Sequence, residues 1–319
     1  MYVLGFDIGG TKCAVILAQA EPDHIEFLER MVFPTSAPWQ EMLERLCVAG
    51  EQLLASHCVP LGQCRIGISC GGPLDSDRGV ILSPPNLPGW DEVPIVGLLE
   101  ERFRLPVTLQ NDADACALAE WRYGAGKGTR NMVFLTFGTG LGAGLILNGR
   151  LYRGACGMAG EVGHIRLAEE GPTGYGKAGS FEGFCSGGGI AQLARTHAEE
   201  LMKDGLRASY HRGELSQITS KMVAEAARKG HRDALEVLER SGDYFGRGLA
   251  VVIDLLNPEV IVAGSIFARS GEFLIPAMER SLKREALPAS RAACRIVPAC
   301  LGEQIGDYGA VVAALGEEL

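Results

Sequence analysis

Val3-Leu4-Gly5-Phe6-Asp7-Ile8-Gly9-Gly10-Thr11-Lys12-Cys13-Ala14-Val15-Ile16-Leu17 runs from the third residue of the chain. Two apolar runs flank a polar, glycine-bearing turn, which is the pattern of a β-hairpin. The same plan returns in Val133-Phe134-Leu135-Thr136-Phe137-Gly138-Thr139-Gly140-Leu141-Gly142-Ala143-Gly144-Leu145-Ile146-Leu147. A shift of 129 residues lays Asp7 on Thr136 and Gly9 on Gly138. Two such hairpins predict a duplicated lobe.

Between the hairpins the spacing of Met42, Leu46, Ala49 and Leu53 predicts a helix over 40–57. A short strand is expected at 65–69, a Pro-rich loop at 83–90, a strand at 106–110 and a helix at 111–123. Further helices are expected at 186–202, 219–229 and 231–256, the last stopped by Asn257-Pro258. The polar, basic stretch 203–216 reads as a surface excursion. A buried strand over 260–263 leads to Gly264, and 305–318 reads as helix. Alternating strands and helices predict an α/β fold with mixed sheets.

The 319 residues suffice for two domains, with 47% hydrophobic and 22% charged residues. A net charge of −9 argues against a nucleic-acid footprint, which is usually basic. Anionic ligands are not excluded, because loop amides bind phosphate without net positive charge. The 43 glycines cluster at 9–10, 71–72, 138–144 and 187–189, where backbone must approach a ligand or other backbone. No CxxC pair occurs among the ten cysteines, and neither a signal peptide nor a bilayer-spanning apolar stretch is read. The expectation is a cytoplasmic protein with reduced thiols and no membrane partner.

Four local patterns carry chemistry. Asp7-Ile8-Gly9-Gly10-Thr11-Lys12 offers amides, a hydroxyl and a cation to a phosphate, and Asp7 a carboxylate to its Mg²⁺. A tight turn with a strand-end Asp is the alternative. Gly138-Thr139-Gly140-Leu141-Gly142 adds a second, uncharged set of amides. Asn111-Asp112 closes a strand and opens a helix, where an acid either caps the helix or accepts a hydroxyl proton. Gly160-Glu161-Val162-Gly163-His164 sets an acid and an imidazole between glycines.

With Gly72-Pro73, Pro85-Asn86-Leu87-Pro88-Gly89-Trp90 and Asn257-Pro258-Glu259, these pieces form an ordered set from residue 3 to beyond 300. In that order they resemble the ROK family (repressor, open reading frame, kinase) of glucokinase-like sugar kinases in the actin-like ATPase superfamily. The resemblance implies two actin/hexokinase-like lobes of duplicated ribonuclease H-like type, with ATP and sugar in the interlobe cleft. The small lobe would span 1–117 plus 303–319 and the large lobe 118–302.

It further implies that Gly72, Asn86, Asn111, Asp112, Glu161, His164 and Glu182 meet the sugar, with Asp112 as general base. Asp7, Gly9, Gly10, Thr11, Lys12, Gly138, Thr139, Gly140 and Gly264 would meet ATP, whose Mg²⁺ would lie near Asp7. Ala263-Gly264-Ser265 matches the family's adenosine loop imperfectly, because Ala263 and Ser265 stand where glycine is common.

One departure is large. The family's C-x-C-G-x-x-G-C-x-E binds zinc through three Cys and the preceding His. Here Thr173, Tyr175 and Ser180 fill the Cys positions, while Gly176, Gly179 and Glu182 keep register. The expectation is no zinc, with Tyr175 and Phe181 supplying apolar packing to the loop. The expected function is ATP-dependent phosphorylation of a hexose hydroxyl. Glucose is the first choice, with N-acetylmannosamine, N-acetylglucosamine, fructose and allose open. The alternatives are a sugar-responsive ROK transcriptional regulator or a catalytically silent sugar-binding protein. Regulators of the family carry a DNA-binding segment before the first hairpin, and here only Met1 and Tyr2 precede it, so no nucleic-acid partner is expected. Family members are often homodimers.

Overall fold

The computed structural model describes residues 1–35 and 38–316. The chain divides into two compact units: 1–130, 144–159 and 300–319 form the first, and 131–143 with 160–299 the second.

The first unit opens with β1 (Tyr2–Ile8), β2 (Lys12–Ala20) and β3 (Ile25–Pro34). Then come α1 (Trp39–Ser56), β4 (Cys64–Cys70), the small pair β5 (Leu74–Asp75) and β6 (Val80–Ile81), α2 (Ile95–Phe103), β7 (Val107–Asn111) and α3 (Asp112–Tyr123). The sheet order is β3-β2-β1-β4-β7. β1 runs antiparallel to β2 and parallel to β4, which runs parallel to β7.

One face of this sheet packs against α1 and α2. Leu4, Phe6, Val15, Leu17, Ile66 and Ile68 meet Met42, Leu46, Leu53, Leu99 and Phe103 in one buried core. The alternating β1 residue Gly5 faces the other way, toward the last helix of the chain. A Cβ on Gly67 would stand 2.2 Å from the Ala310 carbonyl oxygen, so the missing side chains at 5 and 67 admit that helix at backbone contact.

β8 (Met132–Phe137), β9 (Leu141–Leu147) and β10 (Arg150–Leu151) follow; β9 straddles the division, β10 lies in the 144–159 segment of the first unit, and β8 opens the second unit. It continues with a hairpin of β11 (Thr173–Gly174) and β12 (Lys177–Ala178), then α4 (Phe181–Cys185), α5 (Gly187–Lys203), α6 (Ser220–Arg228) and α7 (Arg232–Leu256). β13 (Val260–Ala263), α8 (Ser265–Glu285), α9 (Pro288–Ala293) and β14 (Arg295–Pro298) complete it. The second sheet has the order β10-β9-β8-β13-β14, with β13 parallel to both β8 and β14.

The two sheets repeat one plan, with β1 answered by β8, β4 by β13 and β7 by β14. The fold is therefore α/β with two sheet-plus-helix domains of the actin/hexokinase type. Around β8, Phe137, Phe181 and Phe267 each pack against Phe245 with tilted rings at centroid distances of 4.8–6.0 Å. Gly242 and Gly246 of α7 let α8 approach, since a Cβ at either would come within 2.5 Å of an α8 carbonyl oxygen.

The chain ends in α10 (Ile305–Leu315), which packs on β1 and β4 of the first unit. The expected helix 305–318 runs past the described residues at 317–319. One expectation needs correction. The stretch 203–216 is not wholly superficial, because Tyr210 is fully buried and its hydroxyl donates to the Ala194 carbonyl. Cys58, Cys156 and Cys300 are exposed, and none of the ten cysteines forms a disulfide.

Candidate functional site

In the first unit the expected residues gather where β1, β4 and β7 end side by side. Asp7 pairs with Ser69, and Cys70 with Asn111, so the parallel register carries the Asp7, Gly71-Gly72 and Asn111-Asp112 segments to one sheet edge. Asn111 caps α3, its Oδ1 accepting the Ala113 amide at 2.9 Å. Asp112 Oδ1 accepts the same amide at 2.8 Å. Capping is thus met without Asp112 Oδ2, which lies over Gly71, where a Cβ would stand 3.7 Å away. Gly72 faces the Asn111 amide, a Cβ there standing 3.1 Å from Nδ2.

Asp112 keeps solvent access, yet the protein surrounding its carboxyl displaces enough water to raise its pKa. The Ala113 amide opposes that rise. Asp7 is pushed up to about 6, chiefly by burial and then by the charges of Asp307 and Asp112, against the pull of Lys12 and Arg30. Arg30 Nε donates to Asp307 Oδ1 at 2.9 Å. Gly306 leaves room for the Asp7 carboxylate, since a Cβ would come 2.9 Å from its Oδ2.

The turn after β1 is closed by the Gly9 amide on the Lys12 carbonyl at 3.2 Å. Thr35 ties it further: its hydroxyl donates to the Gly9 carbonyl at 2.7 Å, and its amide to the Thr11 carbonyl at 3.1 Å. Thr11 and Lys12 remain exposed. Gly10 lies directly on Asn86, for a Cβ would fall 2.4 Å from the Asn86 carbonyl oxygen. Buried Leu87 and Trp90 anchor the Asn86 loop and leave Asn86 itself exposed.

In the second unit, the turn between β8 and β9 is closed by the Gly138 amide on the Gly140 carbonyl at 3.1 Å. Thr136, the counterpart of Asp7, accepts the Gly142 amide on its hydroxyl at 2.9 Å. Glu182 Oε2 accepts the Leu141 amide at 3.0 Å and presses on Gly140. The Glu161–His164 segment docks on β9. A Cβ at Gly160 or Gly163 would stand 2.0 Å from the Ala143 or Leu141 carbonyl oxygen, and Gly160 adopts φ +91°. Glu161, His164, Glu182 and the 138–142 turn therefore share one neighbourhood.

Sequence reasoning assigned nothing to Ser186-Gly187, although it noted the glycines at 187–189. Ser186 caps α5, accepting the Gly189 amide at 3.0 Å, and the Gly187 amide donates to the Gly138 carbonyl at 2.7 Å. Ile266 of α8 lies 3.4 Å from the Cβ position of Gly187. Gly264 reaches the same region, its amide donating to the Leu135 carbonyl at 2.9 Å. The run Ser-Gly-Gly-Gly before an apolar helical period was the available signal.

The segment in register with the zinc motif is fastened by hydrogen bonds. Ser180 is fully buried and caps α4, accepting the Gly183 amide at 3.1 Å. The backbone of Thr173 is held by Gln192, which accepts its amide at 2.9 Å and donates to its carbonyl at 2.8 Å. Tyr175 is 74% exposed and so lends no buried area, whereas Phe181 is fully buried. Among the described residues no group of three or more His, Cys, Asp or Glu side chains is placed to hold a metal. Likewise, no described helix is long and apolar enough to cross a membrane.

A family profile described as "ROK family" matches residues 3–317. The glucokinase of Halalkalibacterium halodurans is 32% identical over 315 residues, 97% of this chain and 93% of that protein. The crystal structure of a ROK family glucokinase from Streptomyces griseus, in complex with glucose and AMPPNP, superposes with TM-score 0.78 at 30% identity, covering 99% of each chain. A ROK family transcriptional regulator, homologous to the E. coli MLC protein, superposes with TM-score 0.85 at 25% identity, covering 99% of this chain and 78% of the regulator.

Proposed function

The chain belongs to the ROK family, and from that premise we propose that it is a sugar kinase, transferring the γ-phosphoryl of ATP to a hexose hydroxyl. The observation that carries the reading is the division of labour at the head of α3. Asn111 meets the capping requirement, and Asp112 Oδ2 accepts no hydrogen bond from another described residue. A carboxylate so held can accept the proton of an attacking hydroxyl. The glucokinase relatives support the same reading.

In this proposal Gly72, Asn86, Asn111, Glu161, His164 and Glu182 take the sugar. Gly10 and Thr11 offer donors to the phosphates, Gly9 sets the turn that presents them, and Lys12 adds its charge. The Gly138-Thr139-Gly140 turn also faces the phosphates, and Gly264 meets the adenosine. Asp7 fits the Mg²⁺ that ATP carries, being a carboxylate beside a turn of amides. Catalysis is positioning and charge stabilisation, with Asp112 receiving the proton late. Glucose is the first candidate, and no zinc is required.

A regulator is the second reading, favoured by the TM-score of 0.85 to the transcriptional regulator. A coupled ADP-release assay across glucose, N-acetylmannosamine, N-acetylglucosamine, fructose and allose tests the kinase. Sugar-dependent ADP release supports it. No release with any sugar, together with a DNA mobility shift relieved by sugar, would favour the regulator.

A further inference from the structure

The hairpin of β11 and β12 stands where the family pattern places a metal loop. It pairs Thr173 with Ala178 and Gly174 with Lys177, leaving Tyr175-Gly176 as a two-residue turn. Both turn residues have positive φ, +43° and +74°, as a type I′ connection demands. Tyrosine is an uncommon occupant of that region, and turn chemistry alone does not account for it.

The base of the hairpin is held rigidly. Gln192 grips Thr173 through two hydrogen bonds, and Arg166 Nη1 donates to the Ala178 carbonyl at 2.8 Å. The Gly179 amide donates to the Pro172 carbonyl at 3.0 Å.

From this fixed base two side chains reach the same residue. Lys177 Nζ donates to the His164 carbonyl at 2.7 Å. The Tyr175 ring meets the His164 imidazole edge-on, with centroids 6.4 Å apart and planes at 77°. His164 lies between them, its own amide donating to the Glu161 carbonyl at 3.1 Å. One contact fixes the peptide plane after His164, and the other restricts the swing of its ring. The exposure of Tyr175 is accounted for by this contact rather than by core packing.

We propose that Lys177 and Tyr175 are positioning residues for His164, Lys177 through the hydrogen bond to its carbonyl and Tyr175 through the ring contact. The proposal rests on the sugar-kinase reading for its kinetic consequence, but its geometric content stands apart from it. A pre-set imidazole spends less of the sugar's binding energy on ordering.

The test uses Lys177→Met, which keeps the aliphatic stem without a donor, and Tyr175→Ala, with Lys177→Arg and Tyr175→Phe as conservative partners. Imidazole ¹H–¹⁵N correlation spectra of the ligand-free protein, with the His164 signal identified by its loss in His164→Gln, read positioning directly. Sugar and nucleotide KM read its consequence. Lys177→Met and Tyr175→Ala should shift the His164 signal and raise sugar KM roughly 3- to 10-fold. Nucleotide KM and the unfolding midpoint should hold, and Lys177→Arg and Tyr175→Phe should restore both readouts. An unmoved His164 signal overturns the proposal, whether or not any sugar is phosphorylated. A moved signal with unchanged sugar KM in an active enzyme overturns its kinetic part, and equal rises in both KM values with a lowered midpoint reduce the hairpin to a structural element. Absence of all kinase activity with a signal that moves and is restored would refute the kinase reading while leaving the positioning intact.

Discussion

Asp7→Asn should make the free protein more stable near neutral pH while it weakens phosphoryl transfer. The folded Asp7 carboxyl has its pKa pushed from 3.8 to about 6, by burial first and by Asp307 and Asp112 next. A raised carboxyl means that the folded state prefers the protonated form. The stability this gives is fully present below pH 3.8 and is lost as pH rises through 6. At pH 7.5 the ionised Asp7 therefore costs about two pKa units, or roughly 3 kcal/mol. At pH 4.5 the same linkage leaves only about 1 kcal/mol. Asparagine keeps the shape and carries no charge, so the variant should gain most of that difference. For a domain of this size it corresponds to roughly 6–12 °C in Tm at pH 7.5. Thermal unfolding of both proteins at pH 7.5 and pH 4.5, without nucleotide or metal, measures it. Equal Tm values at pH 7.5, or a gain as large at pH 4.5, would refute the claim that the ionised carboxylate is held against burial and like charge.

Glu161→Ala should weaken sugar binding alone, by about 1.5–3 kcal/mol for a lost charge-assisted hydrogen bond. Glu182→Ala should weaken both sugar and nucleotide, because Glu182 also holds the Leu141 amide of the 138–142 turn; separate KM measurements distinguish the two, and unchanged sugar KM in both would move the sugar elsewhere. Gly10→Ala would push a Cβ to 2.4 Å from the Asn86 carbonyl oxygen, so both KM values should rise at a cost of about 1–3 kcal/mol in overpacking. Elemental analysis of untagged protein should return no structural zinc; one zinc per chain, with activity lost to a chelator in excess Mg²⁺, would contradict the engaged roles of Thr173, Tyr175 and Ser180.

The elements with strong periodicity were legible in the sequence. The helix read over 40–57 is Trp39–Ser56, and that read over 231–256 is Arg232–Leu256, ended by Asn257 in the left-handed region. The strand β3 was not, because its edge position interrupts alternation with Glu26, Glu29 and Arg30. Neither was α8, since Pro276 and several small residues mask a helix whose buried face meets α7. Tyr210 sits in a stretch dominated by polar and basic residues, and its burial depends on partners in α5, 13 and 16 residues earlier, that no local pattern marks.

The glycine-rich turns announced themselves, yet what they abut did not. Gly10 against Asn86, Gly163 against Leu141 and Gly187 against Gly138 are tertiary approaches that no local pattern encodes. The hairpin at Tyr175-Gly176 was visible only as three missing thiols. Its type I′ turn and its two contacts to His164 needed coordinates.

The central claim is that Asp112 accepts the hydroxyl proton. Asp112→Asn preserves the shape of the side chain at the head of α3, and Asn111 retains the cap on Ala113. Measured kcat with the preferred sugar, alongside calorimetric sugar binding to the same variant, tests the claim most directly. The account predicts intact sugar binding and a kcat lowered by about 10²–10⁴. A kcat within about 10-fold of the parent would contradict it, and Asp112 would then be a residue of the helix start and nothing more.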